Sequence, residues 1–162
     1  MKKIAVFADI QNIYYTVREY YQCHFNYRKL WQQLSEEGEI RLANAYAIER
    51  NDAKQKGFQQ ILRDIGFEVK LKPYIQRSDG SAKGDWDVGL TIDAMGCAAN
   101  KSDPVNQIVL LSGDGDFDLL LDRVGQAYGI ETVVYGVPAL TATSLINAAD
   151  RFCAIEGELL LK

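Results

Sequence analysis

The sequence is poor in the residues on which several common kinds of functional site depend. It has one histidine, His24, in a polar and aromatic stretch, and three cysteines that are far apart and form no CxxC pair. A Ser-His-Asp or Cys-His catalytic set is therefore not indicated, and neither is a zinc site or a disulfide framework. Reduced thiols of this kind are typical of a cytoplasmic protein, which is the location we expect.

The sequence also lacks a long hydrophobic run and an excess of positive charge. The first apolar run, in "MKKIAVFADI", ends at Asp9 and is too short for a secretory signal or a membrane span. We therefore expect a buried strand there and no membrane association. The formal net charge of -4 provides no general attraction for nucleic acid. A polyanionic substrate would need a local basic patch, or metal ions that offset the acidic residues.

What is present is an alternation of apolar strands and amphipathic helices, without repeats or a linker, in a chain of 162 residues. This length predicts one domain over 1–162. Strands are predicted in "KIAVFAD", "IRLANAYAIE", "FEVKLKPYI", "QIVLLSG", "IETVVYG" and "RFCAIEGELL". Helices are predicted in "IQNIYYTVREYY", "NYRKLWQQLSEEG", "DAKQKGFQQILRDIG", over 85–100, in "DFDLLLDRVGQAYG" and in "TATSLINAAD", with a loop over 76–84. The alternation predicts a three-layer α/β/α fold, a mostly parallel sheet with helices on both faces.

Acidic residues follow two of the predicted strands. Asp9 ends the first strand, and Asp114 and Asp116 follow the strand that contains "IVLL". In open α/β sheets, ligands bind beyond the carboxyl ends of the strands, near the point where the strand order switches. If the two strands are neighbours, these carboxylates meet at one edge. The loop before Asp85 and Asp87 can bring another helix start to the same place.

A tight group of carboxylates is unstable without a counter-charge, because like charges raise one another's pKa values. Mg²⁺ or Mn²⁺ relieves this repulsion and prefers oxygen ligands, and a pair of such ions promotes phosphodiester hydrolysis. Two simpler interpretations are helix capping by Asp114 or Asp116 and a calcium-binding loop. The calcium loop fails on spacing, since "DGDFDLLLDRVG" has leucine at position 6 and glycine at position 12. Capping by one aspartate is compatible with metal binding.

Three acidic motifs occur in a characteristic order along the chain. "VFADIQN", "KGDWDVGLTIDAM" and "LLSGDGDFDLLL" resemble the motifs of the NYN domain, a branch of the PIN-like ribonuclease superfamily that includes the LabA-like bacterial subgroup. The resemblance extends to "YGVPALTATSLINAADRFC", and therefore covers nearly the whole chain. It implies a PIN-like fold and a Mg²⁺- or Mn²⁺-dependent ribonuclease that hydrolyses RNA phosphodiester bonds. A non-catalytic module that binds RNA, a nucleotide or a protein is the alternative.

Transferred onto this sequence, the resemblance implies a catalytic metal site and a surrounding set of polar residues. The implied metal-site carboxylates are Asp9, Asp87, Asp114 and Asp116. Asn12, Ser112 and Lys83 match residues that lie beside the site and contact water or a substrate phosphate. Asp85, Asp93 and Asp118 are expected to be supporting acids, although either Asp85 or Asp87 could face the metal. Asp93 points about 120° away from Asp87 on a helix and lies about 9 Å further along its axis.

Other residues suggest contacts with nucleic acid or with a second copy of the chain. The candidate cations are Arg50, Lys54, Lys56, Lys70, Lys72, Arg77 and Lys83. Lysines that protect an edge strand explain Lys70 and Lys72 equally well. Tyr14 and Tyr15 follow Asp9 and are candidates for stacking on a base or for core packing. Trp31 and Trp86 fit either a homo-oligomer interface or ordinary helix packing.

Two other enzyme classes also place an aspartate after a strand. A haloacid-dehalogenase-like phosphatase requires a second acid two residues after the first aspartate, where this chain has Gln11. A Toprim-like domain has a DxD motif like "GDGD", but it requires a glutamate after its first strand, where this chain has Asp9. Both classes therefore fit the sequence less well than the NYN domain.

Overall fold

The computed structural model describes residues 1–49, 52–73, 75–76, 82–83 and 85–162. The strands in these ranges are β1 (Lys2–Asp9), β2 (His24–Phe25), β3 (Gly38–Glu49), β4 (Glu68–Pro73), β5 (Ile75–Gln76), β6 (Ala82–Lys83), β7 (Gln107–Leu111), β8 (Glu131–Gly136), β9 (Arg151–Ala154) and β10 (Leu160–Leu161). The helices are α1 (Ile10–Tyr21), α2 (Tyr27–Glu37), α3 (Ala53–Ile65), α4 (Asp87–Ala99), α5 (Asp118–Tyr128) and α6 (Thr143–Ala148). Short 3₁₀ turns occur at Gly115–Phe117, Pro138–Leu140 and Gly157–Leu159.

Six strands form one parallel sheet in the order β4-β3-β1-β7-β8-β9. The two central strands, β1 and β7, are direct neighbours and pair from Ile4–Gln107 to Ala8–Leu111. Every residue of β7 is buried, as expected for a parallel strand covered on both faces. The strand order proceeds in opposite directions from β1 and β7, so the position where ligands usually bind lies between these two strands.

Helices cover both faces of the sheet, which confirms the predicted three-layer α/β fold. One apolar cluster joins Ile4, Val6 and Ala8 of β1 to residues of α1, α2 and α3. The other joins Ala5 and Phe7 to residues of α4, α5 and α6. Successive residues of a strand point to opposite faces, so each face of β1 contributes to a different core. Within the described part of the chain, none of the helices combines the length and apolarity that a membrane span requires.

Local sequence signals explain where several helices begin and end. Asp52 caps α3, since its side chain accepts a hydrogen bond from the Lys54 amide at 2.8 Å, as the sequence predicts. At the other end of α3, Gly66 has φ of +136°, a conformation that favours glycine. A Cβ atom there would lie 2.7 Å from the Trp31 ring. Trp31 therefore packs inside the helical layer.

The structure differs from the sequence prediction at three places. The predicted loop over 76–84 contains the last residue of β5 and all of β6, two short strands that pair antiparallel. The helix predicted from residue 116 begins with a 3₁₀ turn, so its regular α-helical part starts at Asp118. The last predicted strand is divided into β9 and β10, and β10 pairs with β2 instead of the main sheet.

Candidate metal centre

Asp9 stands at the junction of β1 and α1. Its carboxylate accepts a hydrogen bond from the Asn12 amide at 3.5 Å, so it serves as the N-cap of α1. Its second oxygen accepts a hydrogen bond of 3.0 Å from the hydroxyl of Ser112, which follows β7. The side chain is thus connected to both central strands. Because one oxygen faces each partner, the carboxylate has a defined orientation at the carboxyl edge of the sheet.

Asp114 reaches the same edge through the tight turn after β7. The Ser112 hydroxyl accepts a hydrogen bond from the Asp114 amide at 3.1 Å, and thereby joins the backbone of Asp114 to the side chain of Asp9. Gly113 lies between them, and a Cβ atom at this position would be 2.6 Å from the Leu140 carbonyl oxygen. A side chain therefore does not fit, which explains why "SGD" has glycine at its centre. Asp114 also caps the 3₁₀ turn through the Asp116 amide at 2.9 Å.

Asp87 comes to the site from α4, which lies on the same face of the sheet as α5 and on the opposite face from α1. It is the first residue of α4, and its amide donates a hydrogen bond of 3.2 Å to the side chain of Asp85. The side chain of Asp87 is partly buried, whereas Asp85 is exposed. Of these two acids, Asp87 has a carboxylate oxygen that converges with those of Asp9 and Asp114, while the charge of Asp85 acts on Asp9 and Asp87 from nearby.

The three carboxylates Asp9, Asp87 and Asp114 form one cluster. One oxygen from each lies within 4.8 Å of the corresponding oxygens of the other two. The three residues come from the ends of β1 and β7 and from the start of α4, which are far apart in the sequence. Oxygen atoms at this spacing can share one hard divalent cation, because Mg²⁺ and Mn²⁺ prefer carboxylate and water ligands.

The electrostatics of the cluster are those of crowded acids. Burial raises the pKa of Asp9 from 3.8 to about 6, with a smaller upward effect from the charge of Asp114, while hydrogen bonds from Ser112 and Asn12 lower it. Burial also raises the pKa of Asp87 to about 7, followed by its hydrogen bond and charge interaction with Asp114. Both shifts show that the folded protein disfavours three negative charges here. A bound cation would remove this penalty.

Asn12 and Ser112 lie beside the cluster in different environments. The Asn12 side-chain oxygen accepts a hydrogen bond of 2.8 Å from the Gly113 backbone amide. The oxygen of Asn12 is therefore turned toward Gly113, and its NH₂ group is the part of the side chain that can donate a hydrogen bond. Ser112 is 0% exposed, and its hydroxyl contacts Asp9 and the Asp114 amide. Ser112 therefore holds Asp9 and Asp114 in place from the protein interior, and it does not face the solvent, where a substrate would lie. Lys83 belongs to β6, but its side chain falls outside the described residues, as do Arg50 and Arg77.

The remaining predicted acids lie around the cluster. Asp116 is exposed, and its backbone amide donates a hydrogen bond to the Asp114 side chain. Its own carboxylate is not one of the three that converge. Asp118 begins α5, and its side chain accepts a hydrogen bond from the Leu119 amide at 2.6 Å. Asp93 is directed to β3 and β4, where it accepts hydrogen bonds from the Tyr46 hydroxyl and the Lys70 ammonium group.

Two residues near the site were not expected from the sequence to contribute to its geometry. Tyr46 pairs with Asp9 across β1 and β3, and its ring lies 5.3 Å from the Trp86 ring. Trp86 donates a hydrogen bond from its indole nitrogen to the Ala47 carbonyl oxygen at 2.8 Å. The one sequence signal for Trp86 is that it stands immediately before Asp87, an acid of the second motif.

Two known proteins are similar to this chain over most of its length. A protein of unknown function from Vibrio parahaemolyticus has a crystal structure that superposes with a TM-score of 0.91 at 53% identity, covering 99% of this chain and 96% of that one. The low amplitude and bright protein LabA of Synechococcus elongatus is 28% identical over 158 residues, which are 93% of this chain and 82% of LabA.

The family assignment rests on the match to a family model. The NYN domain matches residues 3–156, a range that includes all three acidic motifs and, apart from Lys2 of β1, the six strands of the main sheet. This range agrees with the resemblance found in the sequence and with the parallel three-layer fold. The chain belongs to the NYN domain family.

Proposed function

We propose that the protein is a Mg²⁺- or Mn²⁺-dependent ribonuclease that hydrolyses RNA phosphodiester bonds at Asp9, Asp87 and Asp114. The observation that carries this proposal is the convergence of three carboxylate oxygens within 4.8 Å at the carboxyl edge of the central strands. Membership of the NYN family supports it, because this family belongs to the PIN-like nuclease superfamily, is generally associated with RNA and generally uses divalent metal ions.

The donor set fits a hard divalent cation. It consists of carboxylate oxygens, and burial together with the neighbouring acids raises the pKa values of Asp9 and Asp87. When bound, Mg²⁺ or Mn²⁺ supplies charge neutralisation at the phosphate and activates water for hydrolysis. Asp9, Asp87 and Asp114 would hold the ion, and the exposed Asp116 is available at the rim of the site.

The neighbouring polar residues have separate tasks in this proposal. Ser112 orients Asp9 by donating a hydrogen bond and positions the Asp114 backbone by accepting one. Asn12 uses its oxygen to bind the Gly113 amide, so its NH₂ group can donate a hydrogen bond to a phosphate oxygen.

The proposal also concerns the location of the protein. RNA is the partner, and the three cysteines Cys23, Cys97 and Cys153 are free thiols. Free thiols are typical of proteins in a reducing compartment. We therefore propose that the protein acts on RNA in the cytoplasm.

A cleavage assay with end-labelled single-stranded RNA tests this function. Parent protein is incubated with Mn²⁺, with Mg²⁺ or with EDTA, and the products are separated by length. We expect cleavage with either metal and none with EDTA. Asp9→Asn and Asp114→Asn should each lower the rate by at least about 100-fold, because each removes a ligand charge from the site. Asp122→Asn, the same substitution at an exposed position of α5, is the matched control and should cleave like the parent.

The same assay distinguishes the alternative function. Mn²⁺ binding without RNA cleavage would favour a non-catalytic module that binds RNA, a nucleotide or a protein on this fold. Equal cleavage by Asp9→Asn and the parent would show that the carboxylate cluster is not the catalytic site.

A further inference from the structure

We propose that Trp86 is a positioning residue that keeps Asp87 beside Asp9 and Asp114. This inference rests on the proposed metal site and explains how its third carboxylate is held in place. Asp9 and Asp114 directly follow the two central strands, so the sheet itself determines their positions. Asp87 follows no strand of the main sheet, and therefore needs a separate attachment.

The first part of this attachment is a hydrogen bond to the sheet. β1 pairs with β3 only as far as Asp9 and Tyr46, so Ala47 is the first residue of β3 beyond the end of β1. The Trp86 indole N–H donates to the Ala47 carbonyl oxygen at 2.8 Å. The indole thus connects the residue before Asp87 to the part of β3 that lies next to the end of β1, where Asp9 is located.

The second part is aromatic packing. The Trp86 ring lies 5.3 Å from the Tyr46 ring at an interplanar angle of 61°. On the other side, a Cβ atom at Gly89 would come 2.6 Å from the indole, so the ring lies directly against the first turn of α4. This contact requires glycine because a side chain would occupy the same space. Trp86 is therefore held between β3 and the helix that carries Asp87.

The third part comes from β4, the next strand in the sheet. The Lys72 ammonium group lies 4.6 Å from the centre of the Trp86 ring and donates a hydrogen bond of 3.2 Å to the Asp85 carbonyl oxygen. A cation over an indole face is attracted to the ring electrons. Lys72 therefore stabilises both the ring and the backbone of the segment immediately before Asp87.

A second attachment holds α4 further along its length. Asp93 accepts hydrogen bonds from the Tyr46 hydroxyl at 2.8 Å and from the Lys70 ammonium group at 2.9 Å. Asp87 thus lies between two points at which α4 is joined to β3 and β4. The Asp93 attachment orients the helix axis, and Trp86 determines where the first residue of the helix lies.

Substitution of Trp86 tests this role, with a matched control elsewhere in the fold. Trp86→Phe keeps an aromatic ring and removes the hydrogen bond to Ala47. Trp31→Phe is the matched control: it is the same substitution in the helical layer on the opposite face of the sheet, where Trp31 packs against Phe67. Dissociation constants for Mn²⁺ are measured by isothermal titration calorimetry for the parent, both variants, Asp87→Asn and the double variant.

We expect Trp86→Phe to weaken Mn²⁺ binding about tenfold, as loss of one buried hydrogen bond that positions a ligand would do. Trp31→Phe should bind Mn²⁺ like the parent. In the Asp87→Asn background, Trp86→Phe should have no further effect, because the two residues act through the same ligand. A merely structural role would weaken binding equally in both backgrounds, and that result would overturn the proposal.

Hydrogen exchange provides a measurement that does not depend on metal. The Leu90 amide bonds to the Trp86 carbonyl oxygen at 2.7 Å and reports on the first turn of α4. Exchange of this turn should be about tenfold faster in Trp86→Phe and unchanged in Trp31→Phe. Unchanged exchange in Trp86→Phe would overturn the positioning role. If the parent binds no Mn²⁺ and exchange is still faster in Trp86→Phe, the attachment of Asp87 is supported and the metal site is refuted instead.

Discussion

Replacement of Asp9 by asparagine should stabilise the metal-free protein at high pH. Burial raises the pKa of Asp9 from 3.8 to about 6, so keeping this carboxylate ionised in the folded state costs about 3 kcal/mol at 1.36 kcal/mol per pKa unit. Asp9→Asn removes the charge but also one acceptor, since Ser112 and the Asn12 amide bond to different carboxylate oxygens. The lost hydrogen bond costs about 1 kcal/mol, which leaves a net gain of about 2 kcal/mol.

The sign of this effect depends on pH. The folded-state pKa of Asp9 is higher than the unfolded value, so protonation of Asp9 favours the folded state. Its contribution is fully present below about pH 4 and is lost as the pH rises through about 6. The gain from Asp9→Asn is therefore expected at pH 8. At pH 5 the folded-state carboxyl group is mostly protonated, but in the unfolded chain it is already ionised, so about half of the penalty of about 3 kcal/mol has appeared. The net gain from Asp9→Asn should therefore fall to roughly 0.5 kcal/mol at this pH.

Urea denaturation in EDTA at pH 5 and pH 8 measures this difference. A gain of about 2 kcal/mol corresponds to a rise in melting temperature of roughly 4–8 °C for a domain of this size. Asp122→Asn, at an exposed position, should show no comparable gain at either pH. If Asp9→Asn is equally destabilised at both pH values, then Asp9 is not a buried, charge-strained carboxylate and the electrostatic reasoning fails.

Three other outcomes follow from the geometry of the cluster. Mn²⁺ at 100 times its dissociation constant should stabilise the parent by about 2.7 kcal/mol in a thermal melt, and Asp114→Asn should abolish most of this gain; an equal gain in the variant would contradict the site. Mn²⁺ affinity measured by calorimetry should fall as the pH drops from 8 to 5.5, because protons compete at Asp9 and Asp87, whose pKa values are about 6 and about 7; a flat pH profile would argue against these ligands. Gly113→Ala should destabilise the fold by about 1–3 kcal/mol in urea, since its Cβ would meet the Leu140 carbonyl oxygen at 2.6 Å, and an unchanged midpoint would show that the turn can relax.

The residue pattern alone predicted the layer architecture and placed Asp9 and Asp114 at one edge of the sheet, while the resemblance to the NYN domain added Asp87 and Asp116. Alternating apolar strands and amphipathic helices predict a parallel sheet between helices because these periods are local properties of the chain. Asp9 and Asp114 were expected at one edge because each directly follows an apolar strand, and carboxyl ends of parallel strands lie on the same side. These inferences needed no knowledge of distant contacts, apart from the assumption that β1 and β7 are neighbours.

Only the tertiary structure decided which side chains meet. The pairing of β1 with β7 brings Asp9 next to Asp114, although these residues are far apart in the chain. Helical periodicity also does not encode that Asp87, instead of Asp85, has an oxygen close to those of Asp9 and Asp114. The burial of Ser112 likewise comes from its place between two strand ends. Periodicity and capping report on a few neighbouring residues, whereas strand order and side-chain partners arise from contacts between residues that are distant in the sequence.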